Sequence, residues 1–169
     1  MADASIKIKN RYRLKEKDVI ALLKTLRSIF DQDFFDRSSI VEHACIEEFN
    51  VIIVDKTVAF FTMNDRIFFT LHGLYRYKPD AYRVIIDMGA VKHIVNGADI
   101  MAPGIIDADR NIKEHDQVWV CDEKNKKPLA VGVALRSGSE MLSNRTGKAV
   151  RNIHHVGDRL WNITSNLNL

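Results

Sequence analysis

The segment from Asp87 to Gly104, D-M-G-A-V-K-H-I-V-N-G-A-D-I-M-A-P-G, carries the residue types best suited to gripping a ligand. It holds Gly89, Gly97 and a Pro103-Gly104 pair, with one apolar helical stripe between the first two glycines. Glycine supplies positive φ or lets another backbone come close. The expected chemistry is main-chain recognition: Gly97 and Gly104 remove side-chain bulk so that backbone N–H groups reach phosphate or base edges. Lys92 and Arg151 add charge, and Met101 with Pro103 adds apolar surface for a sugar or an unstacked base. The plainer alternative is that the glycines only let the chain turn sharply.

Catalytic and metal motifs are approached and missed. Gly147-Lys148-Ala149 has part of a phosphate-binding loop, but Leu142 stands where the first glycine belongs and Ala149 replaces the serine or threonine. His154 and His155 are neighbours on an expected strand, so they point to opposite faces and cannot chelate one ion together. No G-x-S-x-G, H-E-x-x-H or C-x-x-C occurs. Asp87 reads as a cap for the turn that follows it rather than as a catalytic carboxylate. The expectation is a non-enzyme with no cofactor and no metal.

The elements that must position these residues divide into two parts. Gly73 is the only glycine before residue 80, and the other seven follow it. The turn-forming string Lys78-Pro79-Asp80 marks the expected boundary, giving parts 1–80 and 81–169. In the first, Asp18 is expected to cap a helix with Val19, Leu22, Leu23, Leu26, Ile29 and Phe30 at helical spacing. Phe34 and Phe35 continue the packing. Strand-like runs follow at 44–46, 51–54, 58–62 and 67–71, an α+β pattern with an antiparallel sheet. In the second, a strand at 84–86 enters a helix of about two turns. A hairpin joins 117–121 to 129–135, and a capping-box helix covers 138–144 from Ser137 and Glu140. Strands are expected at 149–154 and 160–163. Many short strands with brief helices suit a small barrel.

The gross numbers restrict function more weakly. With 169 residues, 46% hydrophobic and 28% charged, the chain is an ordinary globular one of one large or two small domains. No apolar run approaches a membrane span, and Met1 to Lys9 lack the apolar core of a signal peptide, so a cytoplasmic location is expected. A net charge of +3 permits nucleic-acid binding without demanding it. Its distribution says more. Lys7, Lys9, Arg11, Arg13, Lys15 and Lys17 face only Asp3 and Glu16, a basic leader that reads as a phosphate contact or a solubilising tail. Asp31, Asp33, Asp36, Glu42, Glu47 and Glu48 then face a single Arg37. Cys45 and Cys121 each lie in an apolar run; a disulfide stays open, and two buried free thiols are the expectation.

Taken in order, Asp87-x-Gly89-Ala90, Gly97-Ala98, Pro103-Gly104, Ala130-Val131-Gly132-Val133, Gly147-Lys148-Ala149, Asn152-Ile153-His154 and Leu160-Trp161 resemble a PUA domain over about residues 82 to 163. The preceding region, with its basic leader, helix, paired strands and Lys78-Pro79 turn, is similar to the pre-PUA domain of the malignant T-cell-amplified sequence family. The chain thus resembles a short archaeal relative of that family. The resemblance implies an α+β pre-PUA domain followed by a small PUA β-barrel. It places RNA against Lys92, His93, Asn96, Gly97, Ala98, Met101, Ala102, Pro103 and Gly104, with Arg151, His154 and Arg159 nearby. It also implies a non-catalytic RNA-binding role on tRNA or the ribosome in translation. RNA, as tRNA or rRNA, is then the partner, together with a translation factor related to density-regulated protein. The alternatives are a protein-interaction adaptor docking a basic partner on the acidic face, or an accessory subunit delivering RNA to a modification enzyme.

Overall fold

The computed structural model describes residues 5–169; Met1 to Ala4, which include Asp3 of the basic leader, lie outside the described residues. The leader continues into an ordered strand, β1 (Ile8–Arg13), which replaces the tail reading with a place in a sheet. Helix α1 (Glu16–Phe30) begins two residues before the expected cap. Lys15 occupies the N-cap, and Asp18 sits in the first turn, where a carboxylate favours the helix dipole. The meander β2 (Val41–Ile46), β3 (Phe49–Val54), β4 (Thr57–Met63) and β5 (Arg66–Phe69) follows. All neighbours are antiparallel, in the order β1-β2-β3-β4-β5.

The run expected to end at Leu71 stops at Phe69, and helix α2 (Leu71–Tyr77) takes over. Thr70 causes the switch: its side chain accepts from the Gly73 amide at 2.9 Å and caps the helix. After Pro79 the chain enters β6 (Arg83–Ile86), α3 (Met88–Ile94), β7 (Ile100–Met101), a 3-10 turn (Ala102–Gly104) and β8 (Ile105–Ala108). Strands β9 (Gln117–Asp122) and β10 (Pro128–Ala134) form the expected hairpin. Helix α4 (Gly138–Ser143) carries the reciprocal Ser137–Glu140 capping box. The chain ends with β11 (Lys148–His155) and α5 (Arg159–Ser165). The last element was expected as a strand over 160–163; Asp158 instead caps a helix, accepting from Trp161 N at 2.8 Å.

The second sheet runs β7-β11-β10-β9-β6-β8, with β6 and β9 parallel and the rest antiparallel, and is barrel-like. Its period-two alternation serves two cores. Val84, Ile86, Val118, Val120, Ala130 and Ala134 fill its own interior. Ile85, Trp119, Cys121, Val131 and Val133 point the other way and join Phe60, Phe61 and Phe68 of the first sheet in one cluster. Burial on both faces explains why these strands read as continuous apolar runs. Phe34 and Phe35 pack on that cluster as expected, Phe34 meeting the Phe69 ring edge-on at 5.0 Å. Buried Gln117 stitches the seam, donating to Ile67 O at 2.8 Å and accepting from Phe69 N at 3.3 Å. Both cysteines are free thiols; Cys121 is buried and Cys45 partly so.

Candidate nucleic-acid interface

Helix α3, β7 and the 3-10 turn enclose an apolar groove of about 530 Å³. Asp87 fixes one end by capping α3, its side chain accepting from Ala90 N at 2.8 Å. Ala90, Ile94 and Ala98 form one wall, and Met101, Pro103 and Gly104 the other. Gly104 lets the walls meet: a Cβ there would stand 3.1 Å from that of Ala90. The groove is therefore closed at its base by a close approach of turn to helix.

The expected grip through main-chain donors does not hold at the helix end. Asn96 N and Ala98 N both donate to His93 O, at 3.2 and 3.0 Å, and Gly97 N donates to Ile94 O at 2.9 Å. These amides close the last turn of α3, as amides at a helix C-terminus do when a left-handed residue ends it. Gly97 is that residue, at φ 92°, with His155 Nε2 only 3.1 Å from where a Cβ would stand. Its glycine serves the turn, as in the plainer reading. What the groove offers besides those amides is its apolar walls and the cations on its rim.

The expected contacts separate by position. His93, Ala98, Met101, Pro103 and Gly104 line the groove. Lys92, Asn96 and Gly97 are exposed beside it, with the Asn96 side chain donating to Lys92 O at 2.8 Å. Arg151 is exposed on β11. Ala102 is fully buried and supports the turn from beneath. His154 is 1% exposed at the seam between the sheets, which removes it from any RNA face. Arg159 is engaged by Glu48 at 2.6 Å.

Several residues that the sequence reading left without a role organise the rim. Lys148 Nζ lies 3.0 Å from Asp99 Oδ2, and Asp99 lines the groove. Burial would raise the Asp99 carboxyl, but hydrogen bonds from Lys148 and Asn152 N, with the charges of Lys148 and Arg151, bring it below the usual carboxylate value. Asn152 clamps the loop, its Nδ2 donating to Ile94 O at 3.2 Å and Ala98 O at 3.0 Å. Arg145 reaches Pro103 O at 3.4 Å. The signal for Lys148 and Asn152 was present in the family motifs that contain them; only the fold shows that β11 lies against this loop. Among the described residues no group of three His, Cys, Asp or Glu side chains is placed to hold a metal ion.

The PUA domain model matches residues 82–156. An uncharacterized protein of Methanocaldococcus jannaschii is 45% identical, the match covering 93% of this chain and 98% of that one. Translation machinery-associated protein 20 of Eremothecium gossypii is 30% identical over 89% of this chain and 86% of its own length. The crystal structure of a PUA domain from Aeropyrum pernix, in complex with tartrate, superposes with a TM-score of 0.85 at 26% identity, covering 95% of this chain and 92% of that one. The chain therefore belongs to the translation machinery-associated protein 20 family of PUA-domain proteins, to which the malignant T-cell-amplified sequence proteins are also related.

Proposed function

We propose that the chain is a non-catalytic RNA-binding protein of the cytoplasm acting on tRNA or the ribosome in translation, with residues 1–80 as a pre-PUA unit and 81–169 as the PUA unit. The observation that carries this reading is the α3 groove: apolar walls sized for an unstacked nucleotide, rimmed by Arg145, Lys148 and Arg151. RNA is read mostly through shape and unpaired segments, which an apolar slot with cations at its lip suits. Membership of a translation-associated family supports the same conclusion, and among the described residues no helix is long and apolar enough to cross a membrane.

The adaptor reading draws less support. Three of the six carboxylates of its acidic face are neutralised within the chain, Asp33 by Arg27, Glu42 by Arg11 and Glu48 by Arg159. A translation factor related to density-regulated protein remains a partner by family likeness alone. The test is tRNA binding by fluorescence anisotropy across a salt series for Lys148→Glu with Arg151→Glu. Affinity falls at least about tenfold, and the slope of log K against log salt flattens by about 1.4 for two single-strand phosphates. Equal affinity of the folded double variant and wild type overturns the groove as the RNA site.

A further inference from the structure

Strand β1 is the edge of the first sheet, and all six of its residues are exposed. Residues directly opposed across an antiparallel pair share a face. Lys9 opposes Cys45 and Tyr12 opposes His43, which places Lys9 and Tyr12 on the same side. Cys45 then opposes Asn50, His43 opposes Ile52, and Asn50 opposes Thr62, so the side continues across β3 and β4. Asn50, Ile52 and Thr62 form the floor of a second cavity, about 850 Å³, whose wall is the Leu22, Thr25 and Ser28 side of α1. Helix α1 therefore leaves part of this sheet face open, and the open part runs from the cavity out to the edge strand.

The edge is built against pairing with another strand. Asn10 has φ 50°, and the register slips between Lys9 and Tyr12, a bulge that with flanking cations blunts a sheet edge. What it offers instead is charge and an aromatic ring. Arg11 is held by Glu42 through two bonds of 3.0 Å, whereas Lys7, Lys9, Arg13, Lys15 and Lys17 make no ion pair among the described residues. Tyr12 is 55% exposed, with its ring 5.2 Å from that of His43. An exposed ring beside unpaired cations on an open sheet face is the arrangement that stacks the bases of a single strand while the charges follow its phosphates.

We propose that the surface from Tyr12 over His43 into the α1 cavity is a second RNA contact, specific for unpaired bases, with Lys9 on the phosphates. It rests on the RNA-binding reading of the chain but on none of the residues of the α3 groove. The test uses the full chain and a twelve-nucleotide single-stranded RNA of mixed sequence, with a duplex of the same sequence and a polyglutamate peptide as competitors. Tyr12→Ala weakens single-strand binding about five- to hundredfold while Tyr12→Phe keeps it, and thermal unfolding is unchanged in both. Lys9→Glu flattens the salt slope by about 0.7. Wild-type affinity in folded Tyr12→Ala, or competition by duplex or polyglutamate as effective as that by the single strand, overturns the proposal. Lys148→Glu with Arg151→Glu in the same series separates the two surfaces. If only that pair loses binding, the groove stands and this surface falls; if only the Tyr12 and Lys9 variants lose it, the reverse holds.

Discussion

His154 and Asp158 form a pair that joins the two sheets: His154 Nδ1 donates to Asp158 Oδ2 at 2.7 Å, while its Nε2 accepts the Leu71 amide at 3.1 Å. Accepting at Nε2 and donating at Nδ1 fixes the ring as the neutral tautomer with its proton on Nδ1. Phe61 covers the ring edge-on at 5.6 Å.

Removing that ring leaves the Leu71 amide without its partner inside the seam, while Asp158 Oδ2 keeps only the His155 amide at 2.9 Å. His154→Ala is expected to lower unfolding stability by about 2–4 kcal/mol, since a buried group left unsatisfied carries its full desolvation cost. Urea denaturation checks it. RNA affinity of the folded fraction should stay near wild type, because the ring faces no open surface.

Acid should weaken the same region in two stages. His72 stacks on Trp161 at 4.6 Å with nearly parallel rings. Burial holds the His72 pKa below its ordinary 6.5. A depressed histidine disfavours the protonated form in the folded state, so this contribution is complete above about pH 6.5 and declines as pH falls from there toward the folded value. Burial would raise the Asp158 carboxyl, but hydrogen bonds from His154 and from the Trp161 and His155 amides depress it below 3.8. Its contribution is present above 3.8 and is lost only as pH falls through the lower folded value. His72→Phe should therefore remove part of the stability loss just below pH 6.5, and Asp158→Asn should remove the more acidic component. Denaturation midpoints between pH 7 and pH 3 distinguish them.

Asn152 predicts a split between folding and binding. Its amide holds the Ile94 and Ala98 carbonyls from β11. Asn152→Ala should cost about 1–2 kcal/mol of stability, as two hydrogen bonds are lost. It should weaken tRNA binding by more than about tenfold, since the groove wall it braces is then free to move. Equal, small effects on anisotropy and on the unfolding midpoint would contradict the role.

Asp99 predicts a gain. Its carboxylate sits in the groove wall and engages Lys148, which is largely exposed. Asp99→Asn keeps an acceptor for the Asn152 amide but releases the lysine for phosphate. Affinity for tRNA should rise about two- to fivefold, the worth of one partly exposed ion pair. A fall in affinity would assign the carboxylate a direct role in ligand contact.

Local chemistry was legible in the residues, and tertiary placement was not. Asp87 capping α3, the Ser137–Glu140 box and the 117–135 hairpin all follow from short-range rules and match the structure. Strand β1 escaped because every residue on it is exposed, so no apolar alternation marked it. Leu160 and Ile163 read as strand because the run is short and apolar; Asp158, three residues before Trp161, was the overlooked helix signal. In the groove, the apolar lining from His93 to Gly104 was contained in the segment read first. Which amides stay free was not, because Gly97 at φ 92° turns three donors inward, a backbone outcome that no residue type announces. The burial of His154 likewise depends on an amide 83 positions away.

One packing arrangement governs how the whole protein can act. Trp119, Val131 and Val133 are paired through their backbones in one sheet and surrounded by the side chains of the other. The halves thus share an apolar joint rather than a swivel, and Trp119 Nε1 adds a 3.0 Å bond to Ala81 O at the crossing. An RNA that touched both the α3 slot and the Tyr12 edge would meet two fixed jaws of a caliper. Selection would then act on the spacing between two unpaired stretches, and on their base sequence hardly at all.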